Sequence, residues 1–423
     1  MSSTPESSAA EPLLEHLFRH SAGRMVAHLT RLLGPANLDL AADAVQEAML
    51  KALQTWPYQG IPENAAGWLF RAAHNLAIDS IRRKQTFGKK TDAIAAELSR
   101  GKAFEVHDPG MEEQLRDDEL RMIFMCCHPD IPHDSRVALS LKSVAGFSVR
   151  EIARAFLAED ASVAQRLVRA KRCIRDRHIT LELPAGAELA ARLDSVLEVL
   201  YFLFNEGYAA HSGEDLIRVD LCHEALRLSR LVSASSLATP AAHALTALMA
   251  FQAARLAARI DQSGDLILLE DQNRALWDQR LLRLGLLHFN QCREGEEVTG
   301  YHVQAAIAAT HARASGSHPI DWPVVFHLYD QLLAIRPSPV VELNRAVALS
   351  KLRGPEEGLA AIAPLENDPS LKSYYLLLAV RGHFLHALGR LPEAAHCFHQ
   401  ALTLPCSEPE RRFLRRMLQK CQP

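Results

Sequence analysis

Three rows of polar side chains stand out from an otherwise Leu- and Ala-rich chain, and each repeats at helical spacing. Asp39, Asp43 and Glu47 recur every four residues, with Gln46 and Lys51 beside them. Arg71, Asn75, Asp79 and Arg82 form a second row, with His74 adjacent, and it runs into Arg83, Lys84, Lys89 and Lys90. Ser162, Gln165, Arg166, Arg169 and Arg172 make a third, joined by Lys171, Arg175 and Arg177 and opposed by Asp176. These side chains suit binding rather than bond-making. Arg, Asn, His and Gln match phosphates and base edges. The acids of the first row are also what a helix N-terminus favours, and Arg82-Arg83-Lys84 is what a C-terminus favours. Taken singly, the acidic row reads better as a solvated surface, the second row has that reading too, and the third reads better as a binding face.

Other chemistry is thin. Glycine-rich phosphate loops, metal-ligand spacings and nucleophile motifs do not occur, so no enzymatic activity and no cofactor are expected. Asn205, Glu206, Tyr208, His211, Glu214 and Asp215 cluster near a helix end and read as packing groups. The eight cysteines form no C-x-x-C pair. Cys126-Cys127-His128 reads as buried structure, not as a metal site, and a reduced, cytoplasmic protein is expected.

Helices must position these rows. Of the 423 residues 48% are hydrophobic, with Ala and Leu ahead of the β-branched types, and the apolar period is 3.6 nearly throughout. An all-α fold is expected. The formal net charge of −3 makes the whole chain no polyanion binder, so nucleic-acid contact must come from local clusters. No apolar run reaches about 18 residues, so no membrane contact is expected. Met1 to Glu11 reads as a short tail without a signal-peptide pattern. In the stretch DLAADAVQEAMLKALQTWP, Val45, Met49, Ala52, Leu53 and Trp56 share an apolar face, and Pro57 is expected to end the helix. In ENAAGWLFRAAHNLAIDSIRRKQ, Trp68, Leu69, Ala72 and Leu76 form the buried stripe opposite the second polar row. Further on, Val137, Leu139, Leu141 and Val144 give a helix stopped near Gly146. Ser148 and Glu151 form a capping box for the next, which turns Ile152, Ala153 and Phe156 inward. A short turn then leads to a helix burying Val163, Leu167 and Ala170, the pattern of a helix-turn-helix.

The pairing of D-A-V-Q-E-A-M-L-K-A-L with W-L-F-R-A-A-H-N-L-A-I-D-S-I-R-R-K resembles the second domain of sigma-70 factors of the extracytoplasmic-function (ECF) class. The helix-turn-helix is similar to their fourth domain. The resemblance implies a factor that binds core RNA polymerase, through its β′ and β subunits, and directs initiation at promoter DNA. It implies that Asp43, Gln46, Glu47 and Lys51 lie at the polymerase contact. By the same carry-over, His74, Asn75, Asp79, Arg82 and Arg83 serve the −10 element, and Ser162, Gln165, Arg166, Arg169 and Arg172 the −35 element. One departure is the turn: Leu157 stands where many members have Gly, and Glu159-Asp160 follow. Two modules on a flexible linker would hold two DNA stretches in one chain. The domains expected are 12–85, a linker at 86–111, 112–180, and a helical block at 187–423.

That last block exceeds a simple ECF factor. YYLLLAVRGHFLHALGRLPEAAHCFHQALTLP looks like a tetratricopeptide repeat: Gly382 and Leu385 fit its first helix, and Ala394, Phe398 and Ala401 its second. A weaker copy lies about 36 residues upstream. Such repeats stack into surfaces for peptides or sibling domains, and the resemblance is to an ECF subgroup whose extension regulates the factor through a protein or ligand partner. The alternative is a helix-turn-helix regulator with a helical ligand-sensing domain, which would have no need of the acidic helix followed by the Trp68–Lys84 helix.

Overall fold

A computed structural model describes residues 21–85, 109–156, 158–208, 217–314 and 319–421. Among these residues the fold is all-α, with short 3-10 turns and one isolated bridge, Ile260 to Leu266. The expected linker at 86–111 falls almost wholly outside the described residues, as do Leu157 and the His211, Glu214 and Asp215 part of the polar cluster. The chain divides into two compact units, Met1–Val199 and Leu200–Pro423.

In the first unit, α1 (21–33), α2 (Leu38–Gln59) and α3 (Ala65–Gln85) are followed by α4 (Pro109–Cys126), α5 (His133–Ser143), α6 (Val149–Ala155) and α7 (Asp160–Asp176). Burial follows the apolar period in α2, where Val45, Met49, Ala52 and Trp56 are all inside. Two expectations fail there. Pro57 does not end α2: it sits in the last turn, and the helix stops at Gly60, whose φ of 82° reverses the chain. Proline is tolerated because the helix has so little left to run. Leu53 is 43% exposed. It lies one position beyond the buried stripe, so the helix turns it to solvent. In α3, Leu69 and Leu76 are buried while Trp68 and Ala72 are half-buried. Trp68 meets Trp56 edge to face at 5.6 Å, which joins α2 to α3.

The helix-turn-helix forms from local signals. Gly146, with φ 74°, follows α5. Ser148 Oγ accepts from Glu151 N at 3.1 Å, and Glu151 Oε2 accepts from Ser148 N at 2.7 Å. The capping box thus starts α6 where the sequence places it. Ile152 and Ala153 are buried, and Val163, Leu167 and Ala170 are the inward face of α7. The next helix, α8 (Ala187–Tyr208), spans the division between units. Its first half ties back to the end of α4: Arg192 Nη2 donates to Phe124 O at 3.1 Å, and Ser195 Oγ to Cys127 O at 2.6 Å.

The second unit continues with α9 (Val219–Ser233), α10 (Pro240–Ala253), α11 (Gln279–Gln291), α12 (Gly300–Arg313), α13 (Trp322–Ile335), α14 (Pro339–Arg353) and α15 (Pro355–Ile362). It ends with α16 (Tyr375–Ala387), α17 (Leu391–Ala401) and α18 (Glu408–Lys420). From α12 onward successive helices pack around apolar clusters that include one centred on Val325 and Leu332, one on Ile362 and Phe384, and one on Phe398 and Leu414. Gly382 lets α16 and α17 close up, since a Cβ there would lie 2.8 Å from the Phe398 ring. Between α10 and α11 runs an irregular segment, held at its start by Asp261, which accepts from Ser263 N and Asp265 N at 2.8 and 2.9 Å.

Candidate nucleic-acid and protein interfaces

The acidic row occupies one outer face of α2. Asp43, Gln46, Glu47 and Lys51 are all exposed, and Lys51 Nζ stands 3.7 Å from Glu47. Leu50 (57% exposed), Leu53 and Tyr58 (90% exposed) share the surface of this helix. The sequence reading missed these three as surface groups, although Leu50 lies off the Val45–Met49–Ala52–Trp56 stripe and so was legible by period. An exposed apolar cluster beside charges is what a protein contact uses.

On α3 the second row stands as expected: Arg71, Asn75, Asp79 and Arg82 are exposed along one face. His74 is not with them. It is 7% exposed, and its pKa is lowered, first by burial and then by the charge of His28, against a side-chain hydrogen bond to Asn75 that raises it. One residue of offset on a helix is about 100°, enough to turn His74 into the core while Asn75 faces out. His74 is thereby corrected from a candidate DNA contact to a core residue. Arg83 lies in α3, and its side chain is outside the described residues.

On α7, Gln165, Arg169 and Arg172 are exposed, with Val168 among them at 63%. Arg172 Nε donates to Asp176 at 3.2 Å. Ser162 is half-buried. Arg166 departs from the row, since it is half-buried with Nη2 3.8 Å from Asp134 at the start of α5. The outward surface of the helix is therefore Gln165–Arg169–Arg172, and Arg166 sits on its flank.

These faces do not belong to separated modules in the first unit. His28 Nδ1 lies 2.8 Å from Asp118 Oδ2, and Arg31 Nε 2.8 Å from Asp118 Oδ1. Arg24 Nε is 3.4 Å from Glu119. Both carboxylates are 1% exposed, so α1 is clamped on α4 through buried acids. Gly23 packs against the backbone after α5, where a Cβ would fall 1.8 Å from Val144 O. Lys171 of α7 is bonded to Asp39 at the head of α2. Lys142 has its pKa lowered by burial and by Lys171, with Asp43 among the acids acting the other way. The acidic row is thus engaged at its first turn by the helix-turn-helix.

Thiols contribute no site. All eight cysteines are free, and seven are buried. Burial pushes the Cys127 thiol up to about 11. Among the described residues no group of three potential metal ligands converges, and no helix is long and apolar enough to cross a membrane.

The Sigma-70 region 2 family matches residues 17–87, the stretch that carries α1 to α3. The ECF RNA polymerase sigma-E factor of Escherichia coli (strain K12) is 30% identical over 139 residues, 32% of this chain and 72% of that protein. This chain belongs to the sigma-70 family, among the ECF sigma factors. The ECF RNA polymerase sigma factor SigE of Mycolicibacterium smegmatis is 28% identical over 169 residues, 40% of this sigma factor and 62% of that protein. An uncharacterized protein of Rhizobium meliloti (strain 1021) is 40% identical over 383 residues, 90% of both chains, so the long C-terminal block is shared with it. Within that block, residues 192–293 match a family of unknown function, DUF6596. No solved structure matches this sigma factor.

Proposed function

We propose that this sigma factor docks on core RNA polymerase, through its β′ and β subunits, by way of the exposed α2 face. It then reads promoter DNA with two separate surfaces. Asn75, Asp79, Arg82 and Arg83 of α3 serve the −10 element, where polar side chains hold unstacked bases and the backbone. Gln165, Arg169 and Arg172 of α7 enter the major groove of the −35 element, where Arg and Gln pair with purine edges. The C-terminal unit, a stack of tetratricopeptide-like helix pairs in its last third, regulates the factor. The site of action is the cytoplasm.

The observation that carries this reading is the position of the acidic row. Asp43, Gln46, Glu47 and Lys51 stand exposed beside Leu50 and Leu53, inside the stretch that matches region 2. A regulator using the helix-turn-helix alone would have no need of such a surface. The test is direct. Purified protein added to core polymerase should permit initiation at a cognate promoter with no other sigma factor, and a pull-down from a bacterial extract should retain β and β′. Replacing Asp43 and Glu47 together by Ala should weaken polymerase binding by about tenfold, or about 1.4 kcal/mol. A protein that captures no core enzyme would instead be a helix-turn-helix regulator.

A further inference from the structure

The second unit holds a cavity of about 420 Å³, half-enclosed and within the size range of small-molecule sites. Helices α13, α14, α16 and α18 supply most of its wall, with Trp322, Tyr329, Val347, Ala379 and Phe384 among the lining groups. The chain's own segment 266–270, with His311 of α12 and Pro355 of α15, supplies the rest. That segment is pinned at both ends. Asp265 is paired with Arg412 and, at 3.0 Å, with Arg416, both on α18. Glu270 is paired with Lys351 of α14 at 2.7 Å. Stacked helix pairs ordinarily offer an open groove that an extended peptide can follow. Here the pinned segment takes up that room and leaves a pocket, so a peptide could enter only by breaking both sets of ion pairs.

The polar groups of the wall define what fits. Glu270 and Lys351 neutralise each other, and Glu410 is held by Ser407, whose N and Oγ both donate to it at 2.8 Å, and by the Tyr375 hydroxyl. An ionic ligand would have to displace one of these partners. His311 is different. Its Nδ1 is buried and has no hydrogen-bond partner among the described residues, while its ring rests edge-on against Trp322 at 5.8 Å. A buried polar atom without a partner is destabilising unless a ligand or water satisfies it. Burial and the nearby Arg255 and Arg274 lower its pKa to about 4, so the ring is neutral near pH 7.

We propose that this cavity binds an uncharged, largely apolar small molecule carrying a hydrogen-bonding group, which the imidazole of His311 at the wall meets. The inference deepens the regulatory reading of the C-terminal unit by giving it a ligand class and a site. The probe is N-phenyl-1-naphthylamine, a neutral fluorophore with one N–H, and its counterpart is anilinonaphthalene sulfonate, the same skeleton with an anionic group. With full-length protein the neutral probe should bind saturably, with energy transfer from tryptophan that Trp322→Phe reduces. The anion should bind at least about tenfold more weakly. Ala379→Phe, which fills the cavity, should abolish binding, and His311→Phe, which keeps the ring but removes the nitrogen, should weaken it about fivefold. Should either variant fold poorly, the drop in transfer on Trp322→Phe still locates the probe. No saturable binding, an anion that binds as tightly as the neutral probe, or indifference to both variants would overturn the proposal. Transcription by full-length protein with polymerase, with and without the probe, separates the two readings. Binding that leaves initiation unchanged removes the regulatory reading and keeps the pocket, whereas no binding removes the pocket alone.

Discussion

Arg169 and Arg166 are three positions apart on one helix, and their surroundings differ. Arg169 is exposed and Arg166 is half-buried beside Asp134. Under the proposed function Arg169→Ala should weaken binding to a −35-bearing duplex and reduce the salt slope by about one, as loss of a phosphate or base contact does. Arg166→Ala should leave that slope nearly unchanged and alter stability by only about 0–1 kcal/mol, since its ion pair is partly solvated. A salt titration of both variants checks this. The periodicity of the sequence located both arginines on one surface, but Asp134 lies in a different helix, and nothing local reveals the pairing. His74 failed for a related reason: its type suited DNA, but its offset from Asn75 put it inside. Two other histidines set a pH limit. Burial, with His243 and Arg230, lowers His288 to about 4, and His311 is lowered to about the same value. The unfolded chain takes up these protons near pH 6.5 and the folded one only near pH 4. Stability of the second unit is therefore complete above about pH 7 and declines as pH falls through that window. The loss should be on the order of 2–3 kcal/mol for His288, which is 8% exposed, and less for His311. Denaturant midpoints at pH 7.5 and 5 measure it.

Elements with strong local signals were legible in advance. The Ser148–Glu151 box and the Val163–Leu167–Ala170 face depend on residues within a turn or two of one another, and the helix-turn-helix follows from them. The Gly382–Phe398 contact rests on small residues at repeat spacing. Segment 259–273 gave no such signal, because its conformation depends on Lys351, Arg412 and Arg416, which lie far along the chain. Gly23 was likewise silent. It sits within α1, where glycine is disfavoured, and only the approach of the Val144 carbonyl explains it. Helix propensity alone would make Gly23→Ala stabilising by about 1 kcal/mol. The contact reverses that sign: α1 and the end of α5 must move apart, and a loss of about 1–3 kcal/mol is expected from overpacking. Thermal unfolding of the two proteins distinguishes these outcomes.

At the scale of the molecule, the sequence suggested two modules free to hold separate stretches of DNA, and the first unit is instead closed by buried carboxylates. Long-range pairs such as His28–Asp118 span about 90 residues and leave no trace in local periodicity. The closed form also ties Lys171 of α7, the helix proposed to read the −35 element, to Asp39, at the head of the face proposed to dock polymerase. If promoter binding requires the two surfaces to separate, this closure opposes it, and a change that weakens the closure alone should strengthen promoter binding by up to the energy removed. Asp118→Asn is the suitable change, because it keeps the shape but withdraws the charge facing Arg31 and His28. Breaking a fully buried pair costs about 3–5 kcal/mol, and partial exposure of Arg31 brings the expected loss nearer 2 kcal/mol. Full-length Asp118→Asn should therefore melt earlier and, bound to core polymerase, hold a promoter with both elements up to about thirtyfold more tightly. Its affinity for a duplex carrying only the −35 element should rise by a comparable factor, since Lys171 is released in the same step. A variant that melts earlier yet holds both DNAs no more tightly would mean that the closed unit already presents its reading surfaces, and that α1 and α4 travel together onto the promoter.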